Sequence, residues 1–307
     1  MLKKDGKKFM ASNEIDQKKL IYYDILHSEA NAIREQDKLV VRSLFHNFSQ
    51  KELTVGIGFQ RAYGSILSGD YFDSIKLPDG QLMFVFADIS GHGLPAYTTL
   101  IRLRAAITLA VKEVKKNEDV EIDPKSIVKD ISVKFTDIMD ESNSDDFACI
   151  IFVFIAADGE KYNLRIFNRS MLFPFALKRR SGKELEIVNL NYAYEGWEPE
   201  RGVVLGNNFY YLLAKEYYEL PECSYSINKG DSLFFYSDGI SEAHNKDDSE
   251  EFGEKRIESV LMYHEGLFPQ VIVEELFREV YTFIGGADKQ IDDMTAVLIE
   301  FPDTDLK

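Results

Sequence analysis

Acidic residues recur at one kind of place in this sequence, the boundary between an apolar, strand-like run and a turn. The positions are Asp70 in LSGDYFD, Asp88 in FADISGHG, Asp238 in FYSDGISE, and Asp292 with Asp293 in QIDDMTAV. The ends of strands in one sheet lie at one edge, so these side chains can converge although the chain separates them widely. Carboxylates that come close together in a partly dry site repel one another, and a divalent cation relieves that repulsion. All-oxygen ligands favour hard cations such as Mg2+ or Mn2+.

Taken singly, each of these acids also fits a structural role, because aspartate is common in turns and at helix N-termini. Asp79 and Asp158 belong to that class, since each lies beside a glycine in a turn-like step. The recurrence of the pattern along the chain is what favours a metal site.

The overall charge narrows the classes of partner. The 307 residues carry 52 acidic against 36 basic side chains, a formal charge of −16. Nucleic acids and anionic membranes bind basic surfaces, so the composition argues against both. The basic N-terminus is not followed by an apolar stretch of signal length, and we expect a cytoplasmic protein. The two cysteines, Cys149 and Cys223, are expected in the core and do not suggest a thiolate metal site.

The N-terminal segment has its own character, because residues 7–55 contain neither Gly nor Pro. Within it a stripe spaced alternately three and four residues apart is formed by Tyr23, Leu26, Ala30, Ile33, Asp37, Val40 and Leu44. This spacing predicts a helix over 15–48 that either forms a dimerising coiled coil or folds back as an amphipathic helix. The acid Asp37 in the seam disfavours the coiled coil. We therefore divide the chain into a helical segment, 1–48, and a main domain, 49–307.

The main domain alternates between strand-like and helix-like segments. Short apolar runs separated by turn signals predict strands, with Pro78-Asp79-Gly80 as a hairpin turn. Helices are predicted over about 95–116, 125–142, 252–264 and 269–284. The order of strands, two helices, strands, two helices and a strand favours antiparallel sheets with helices packed outside.

Four stretches now carry a specific resemblance. They resemble successive motifs of the metal-dependent protein serine/threonine phosphatase (PPM) family, in its bacterial SpoIIE-like or RsbU-like branch. The stretches are SGDYFD, FADISGHGLPA, YSDGISEAHN followed by EFGEKRI, and DDMTAVLI. The resemblance covers about residues 45 to 301. It implies an α+β fold, a four-layer α/β/β/α sandwich in which two antiparallel sheets are flanked by helix pairs.

The resemblance also assigns roles to residues. Asp88 resembles the carboxylate that bridges two metals, and the backbone carbonyl of Ile89 stands where the family supplies a further ligand. Asp238 and Asp292 resemble ligands of one metal, and Asp70 resembles the acid that serves the other. Asp88 and Asp238 are the implied catalytic residues. Candidate outer-shell positions complete this set: Asp73, Gly91, His92, Gly93, Gly239 and Asp293. Arg61, nine residues before Asp70, is a candidate phosphate contact that no motif supports.

The implied reaction is hydrolysis of a phosphomonoester by a water molecule that two Mn2+ or Mg2+ ions activate. By resemblance, the substrate is a phosphoserine or phosphothreonine on a regulatory partner similar to the STAS-type anti-sigma-factor antagonists. The alternative is a catalytically inactive pseudophosphatase that binds a partner and transmits a signal.

Three departures from the family pattern stand out. Ser68 replaces a glycine, and Asn168-Arg169-Ser170-Met171 replaces the usual Asn-Ala-Gly-His turn. The aromatic, acidic segment around Trp197 and Tyr194 follows the family only loosely. It is expected either to form a substrate-recognition flap with exposed aromatic contacts or to pack under the edge of a sheet.

Overall fold

The computed structural model of the chain describes residues 53–116, 122–179, 184–193, 197–206 and 220–301. The chain separates into two units, Met1–Ser43 and Leu44–Lys307, and all described residues belong to the second. The predicted helix over 15–48 and its role in dimerisation lie outside the described residues.

Ten strands form two antiparallel sheets of five strands each within the described ranges. The first sheet has the order β1 (Thr54–Gln60), β10 (Met294–Glu300), β9 (Ser232–Tyr236), β6 (Phe175–Lys178), β7 (Glu186–Asn189). The second has the order β2 (Tyr71–Lys76), β3 (Leu82–Ile89), β4 (Ala148–Asp158), β5 (Lys161–Arg169), β8 (Glu222–Asn228). The sheets meet through aromatic side chains, with the ring centroids of Phe84 and Phe235 4.6 Å apart.

Helices cover the outer face of each sheet. The pair α1 (Gly93–Lys116) and α2 (Pro124–Glu141) lies on the second sheet. The pair α4 (Gly253–Tyr263) and α5 (Pro269–Ile284) packs with β6, β9 and β10 in a second apolar core. A short helix, α3 (Asp238–Ser241), and a 3-10 turn, Ala287–Lys289, complete the described elements. The predicted four-layer α/β/β/α sandwich is confirmed.

Local signals explain why the helices begin and end close to the predicted residues. At the start of α2, the Asp123 carboxylate accepts hydrogen bonds from the amides of Lys125 (3.2 Å) and Ser126 (3.1 Å), and Pro124 occupies the first helical position. Helix α5 begins at Pro269 and ends at Ile284, and Gly285 directly after it has the left-handed φ of +91° common at helix C-termini.

Helix α5 lies directly against β1, the edge strand of the first sheet. A Cβ at Gly56 would be 2.2 Å from the Pro269 carbonyl carbon, so a side chain there would push the helix away. The Gln270 side chain reaches the free edge of β1: its Oε1 accepts from the Ile57 amide at 2.9 Å, and its Nε2 donates to the Ile57 carbonyl at 3.2 Å.

Helix α1 is the one described helix that is long and apolar enough to cross a membrane by length and composition. It carries buried residues such as Leu100, Leu103 and Ile107 along one face. A core helix of a globular domain passes the same test, so this is weak evidence for a membrane span.

Strand register brings several strand ends to one end of the sandwich. In the second sheet, Tyr71 at the start of β2 pairs with Ala87 near the end of β3. In the first sheet, Gln60 at the end of β1 pairs with Met294 at the start of β10. A hydrogen bond of 2.6 Å from Thr295 Oγ1 to Asp70 Oδ2 connects these two ends across the sheets.

Candidate metal centre

Asp70 and Asp88 lie on neighbouring strands at this end of the sandwich. Asp70 directly precedes β2, and Asp88 is the second-last residue of β3, so the register that pairs Tyr71 with Ala87 places the two acids opposite each other. By strand alternation they share the face of Phe72 and Phe86, which points between the sheets. Burial, followed by the charge of Asp88, raises the pKa of Asp70 well above its usual value.

Asp238 and Asp292 complete the group from the first sheet. Asp238 is the first residue of α3, two residues after β9 ends, and Asp292 lies two residues before β10 begins. Burial raises the pKa of Asp88 to about 8, and the nearby charges of Asp238, Asp292, Asp293 and Glu242 contribute to the increase. Burial also raises the pKa of both Asp238 and Asp292. The structure therefore brings the four predicted acids into one electrostatic group.

Glu242 is a member of this group that the sequence analysis missed. Burial raises its pKa, and the charge of Asp238 adds to the increase. Glu242 follows Asp238 by four residues, a spacing that places two side chains on the same side of a helical turn. This spacing in SDGISE is the sequence signal that could have identified Glu242, because a helix that starts at Asp238 places Glu242 beside it.

The donor chemistry of this group fits divalent cations. The side chains are carboxylates: Asp70 is buried, Asp88 and Asp238 are half-buried, and Asp292 and Glu242 are more exposed. Neighbouring charges raise the pKa of Asp70, Asp88 and Asp292, and a hard cation relieves such repulsion. In the part of the chain that the structure describes, no set of three or more His, Cys, Asp or Glu side chains is grouped tightly enough to hold a metal ion. The fit is therefore one of donor chemistry and charge.

The Ile89 carbonyl, the predicted backbone ligand, lies against Gly69. A Cβ at Gly69 would be 3.0 Å from the Ile89 oxygen and 3.3 Å from the Ala96 Cβ, so glycine lets this loop pass close to the carbonyl. The neighbouring departure, Ser68, is buried, and its Oγ accepts a hydrogen bond of 3.1 Å from the Asp70 amide. Ser68 thus helps to fix the backbone at Asp70.

The side chain of Asp293 is bound to backbone amides, and the residue is 4% exposed. Its Oδ1 accepts from the Ala62 amide and its Oδ2 from the Gly69 amide, each at 2.8 Å. The Asp293 carboxylate therefore fixes the loop between β1 and β2 that carries Asp70. The charge of Asp293 also raises the pKa of Asp70 and Asp88, and its outer-shell role stays a prediction.

Asp73 is not brought to the group of acids. Its Oδ2 accepts from the Tyr71 hydroxyl at 3.0 Å and its Oδ1 from the Ser74 amide at 2.8 Å. Strand alternation puts Tyr71 and Asp73 on the face of β2 that carries neither Asp70 nor Phe72, and the Arg104 guanidinium of α1 lies 5.9 Å from the Tyr71 ring centroid.

The turn after Asp88 has the backbone shape that its glycines predict. Gly91 and Gly93 have φ values of +79° and +72°, which residues with a Cβ rarely adopt. His92 between them is exposed, and its charge lowers the pKa of Asp292 against the larger effect of burial. His92 is therefore within electrostatic reach of Asp292.

Gly239 and Arg61 also lie at this end of the sandwich. A Cβ at Gly239 would be 2.0 Å from the Asp293 carbonyl oxygen, so glycine here permits close contact between α3 and the Asp293 backbone. Arg61 directly follows β1, with its guanidinium 5.8 Å from the Phe59 ring centroid. Its contact with a phosphate stays a prediction.

The altered turn at residues 168–171 is well ordered by hydrogen bonds. Asn168 Oδ1 accepts from the Met171 amide at 2.8 Å, and Asn168 Nδ2 donates to the Met171 carbonyl at 2.9 Å. Ser170 stands at the family's glycine position with a φ of +60°, and its hydroxyl donates to the Gly202 carbonyl at 2.9 Å. A side-chain hydrogen bond therefore accompanies the left-handed conformation.

The segment 197–206 passes the same end of the second sheet, where Leu205 and Ala148 exchange backbone hydrogen bonds of 2.7 and 2.9 Å. Trp197 is 3% exposed, and its ring contacts Phe173 and Tyr225. The interpretation of Trp197 as an exposed flap contact is wrong, because the ring fills an apolar space beside the sheet. Tyr194 lies outside the described residues.

Comparison with known proteins identifies relatives of this architecture. A sequence model of the family described as Stage II sporulation protein E (SpoIIE) matches residues 78–302. No curated protein matches the chain by sequence.

Solved structures show the fold. The PP2C domain of SiaA from Pseudomonas aeruginosa is 15% identical, with a TM-score of 0.62, over 88% of this chain and 95% of that one. The PP2C phosphatase domain of SpoIIE from Bacillus subtilis, solved with a fragment of its regulatory domain, is 18% identical (TM-score 0.57; 81% of this chain, 63% of that one). The RsbU and RsbW domains of Rv1364c from Mycobacterium tuberculosis are 16% identical (TM-score 0.54; 82% and 62%). The chain thus spans less than two thirds of the last two.

The substitution Asp293→Asn tests whether the Asp293 carboxylate holds the loop between β1 and β2. The substitution turns one acceptor oxygen into an NH2 group that faces an amide donor, and an unsatisfied buried donor costs about 1–3 kcal/mol. We expect the free energy of unfolding to fall by that amount in urea titrations at pH 5, where Asp88, with a pKa of about 8, holds a proton and repulsion is reduced. Asp137→Asn, an exposed acid on α2, is the control. Equal stability of both variants would contradict the assignment.

Asp88 makes the stability of the metal-free protein depend on pH. Its pKa is about 8 in the folded protein against an ordinary 3.8, so between these values the folded state binds more protons than the unfolded chain. The free energy of unfolding in chelator should therefore fall as pH rises from about 4 to about 8. Asp88→Asn should reduce this slope and raise stability at pH 8 by at least about 1 kcal/mol. Thermal or urea unfolding across this pH range, with Asp137→Asn as control, measures the effect; a slope unchanged by Asp88→Asn would contradict it.

Proposed function

Because the chain belongs to the SpoIIE family of metal-dependent protein phosphatases, we propose that it hydrolyses phosphoserine or phosphothreonine on a protein partner. The observation that carries the proposal is the gathering of Asp70, Asp88, Asp238 and Asp292 at one end of the sandwich. Burial raises the pKa of all four, and neighbouring negative charges add to the increase at Asp70, Asp88 and Asp292. A cluster of oxygen donors with unfavourable charge is what two divalent cations require, and phosphate hydrolysis is chemistry that such ions promote.

These four acids and the Ile89 carbonyl would hold two Mn2+ or Mg2+ ions, and by resemblance Asp88 would contribute to both sites. Bound there, the ions supply an acidified water and positive charge for the phosphoryl oxygens. The chain itself orients the donors: Thr295 holds the Asp70 carboxylate, and Asp293 holds the loop before it. Since the protein carries a charge of −16, an anionic substrate needs local positive charge, which ions bound at these carboxylates would supply.

The proposed substrate is a small regulatory phosphoprotein similar to the STAS-type anti-sigma-factor antagonists, in the cytoplasm. This proposal is supported by the resemblance to the RsbU-like branch. An inactive pseudophosphatase is the alternative, but all four core acids are present, and no observation favours the loss of activity.

Activity tests the proposal directly. Purified protein should hydrolyse p-nitrophenyl phosphate and a phosphoserine peptide in Mn2+, and excess chelator should abolish hydrolysis. Asp88→Asn and Asp238→Asn should each lower kcat/KM by about a hundredfold or more, because each removes a charge that the cations need. Asp137→Asn should leave the activity unchanged. Full activity in chelator, or undiminished activity of Asp88→Asn, would contradict the metal assignment.

We also propose that residues 1–48 mediate dimerisation or regulation, while residues 49–307 form the phosphatase domain. Light scattering on the full chain and on a chain that begins at residue 46 tests this. We expect a dimer for the former, a monomer for the latter, and changed activity on deletion. A monomeric full chain with the same activity as the shortened one would refute it.

A further inference from the structure

A cleft of about 490 Å3 opens beside the candidate metal centre. Gly239, Glu242 and Asp292 line it and belong to the centre or adjoin it. Other parts of its wall come from the loop after α3 and from the C-terminal end of α5, including Lys246 and Gly285. Its volume is within the range of small-ligand sites. A substrate held at the centre would therefore extend over the mouth of this cleft.

The loop that carries Lys246 is held in place by its own hydrogen bonds. The Phe252 amide donates to the Ala243 carbonyl at 2.8 Å, and the Asn245 amide donates to the Glu250 carbonyl at 2.9 Å. His244 Nδ1 lies 3.0 Å from Asp248 Oδ1, so the carboxylate in the middle of the loop faces His244. The loop therefore presents Lys246 from a fixed backbone.

Lys246 is positioned without an acidic partner. A Cβ at Gly285 would be 2.4 Å from Lys246 Cε and 2.8 Å from Cγ, so the lysine stem lies across the bare glycine backbone at the end of α5. Across the described ranges, no carboxylate lies within ion-pair distance of the Lys246 ammonium. Lys289 in the same wall does have one, since its Nζ lies 3.5 Å from Asp288 Oδ2.

Lys246 is distinguished by its position. Other lysines of the described ranges, such as Lys112 on α1, also lack an ion pair, but Lys246 lies in the wall of the cleft beside the acids. An exposed lysine fixed over glycine, with no ion-pair partner and next to a centre proposed to process phosphate, keeps its charge available for an incoming anion.

We propose that this cleft is a specificity subsite for an anionic side chain that flanks the phosphorylated residue of the protein substrate, and that Lys246 is its specificity-determining residue. The inference rests on the proposed function and deepens it. The anionic group is a carboxylate of Asp or Glu or a second phosphorylated side chain, since both offer the oxygen acceptors and negative charge that an ammonium group binds.

Phosphoserine peptides test the proposal. Glutamate is placed in turn at each position around the phosphoserine of an otherwise alanine-rich peptide, with glutamine and a second phosphoserine at the same positions for comparison. In Mn2+, the full chain should show a KM about threefold to fivefold lower for glutamate at the favoured position than for glutamine, the gain typical of an exposed ion pair. A larger gain with phosphoserine than with glutamate would identify a second phosphate as the preferred anion.

Lys246→Ala should remove this preference while kcat and the hydrolysis of p-nitrophenyl phosphate stay unchanged. Lys246→Arg should keep it, and Lys112→Ala, an exposed lysine on α1, should behave as the wild type. The proposal is overturned if the wild type shows no preference for an anion at any position, or if Lys246→Ala retains the preference.

Failure of the proposed function is recognised separately, because the wild type would then hydrolyse neither the peptides nor p-nitrophenyl phosphate. Binding of the same fluorescent peptides, measured by anisotropy, then decides the inference. Tighter binding of an anionic peptide by the wild type than by Lys246→Ala supports the subsite, and equal binding overturns it.

Discussion

The candidate metal centre depends on one constraint. It holds together carboxylates that repel one another, in surroundings where water screens their charges poorly. Burial raises the pKa of Asp70 and Asp88. The charge of Asp88 adds to the increase at Asp70, and neighbouring acids such as Asp238 and Asp292 add to the increase at Asp88. Such an arrangement does not form by itself. It persists because the strands that carry these residues belong to two sheets whose register is fixed by hydrogen bonds and by an aromatic core between them.

Hydrogen bonds between the two sheets hold the group of acids in position. Thr295 of β10 donates to Asp70, and Asp293 accepts from two amides of the loop that leads to β2. Asp292 and Asp293 are adjacent in sequence yet have different tasks. Asp292 belongs to the electrostatic group at the centre, while Asp293 satisfies buried backbone donors that would otherwise be costly. The doublet therefore combines a functional charge with the support that positions another acid.

Much of the fold could be predicted because its signals are local. Alternating apolar runs, turn residues such as Pro78-Asp79-Gly80, and prolines at helix starts fix the strands and helices, and strand ends then determine where acids can meet. The acids that share the face of Phe72 and Phe86 were predicted together, and the structure gathers them.

What the sequence could not supply depends on contacts between distant segments. The side chains of Asp73 and Asp70 point to opposite faces of β2, which becomes clear only once the position of this strand is known. The contacts of Asp293 depend on which loop lies beside β10. The close contact of Gly69 with the Ile89 carbonyl and the burial of Trp197 depend likewise on packing. Strand β8 lies after a tyrosine-rich stretch with weak periodicity, so only its pairing with β5 reveals it.

The amide of Gln270 has a consequence for how this molecule behaves among its own copies. An edge strand presents unpaired N–H and C=O groups, which form a template for the strand of another chain. At Ile57, in the middle of β1, one side chain from α5 satisfies both groups, as a neighbouring strand would. The helix thus occupies the hydrogen-bonding groups at the middle of this edge strand with a single residue. Self-association through edge-to-edge strand addition is thereby disfavoured at this edge.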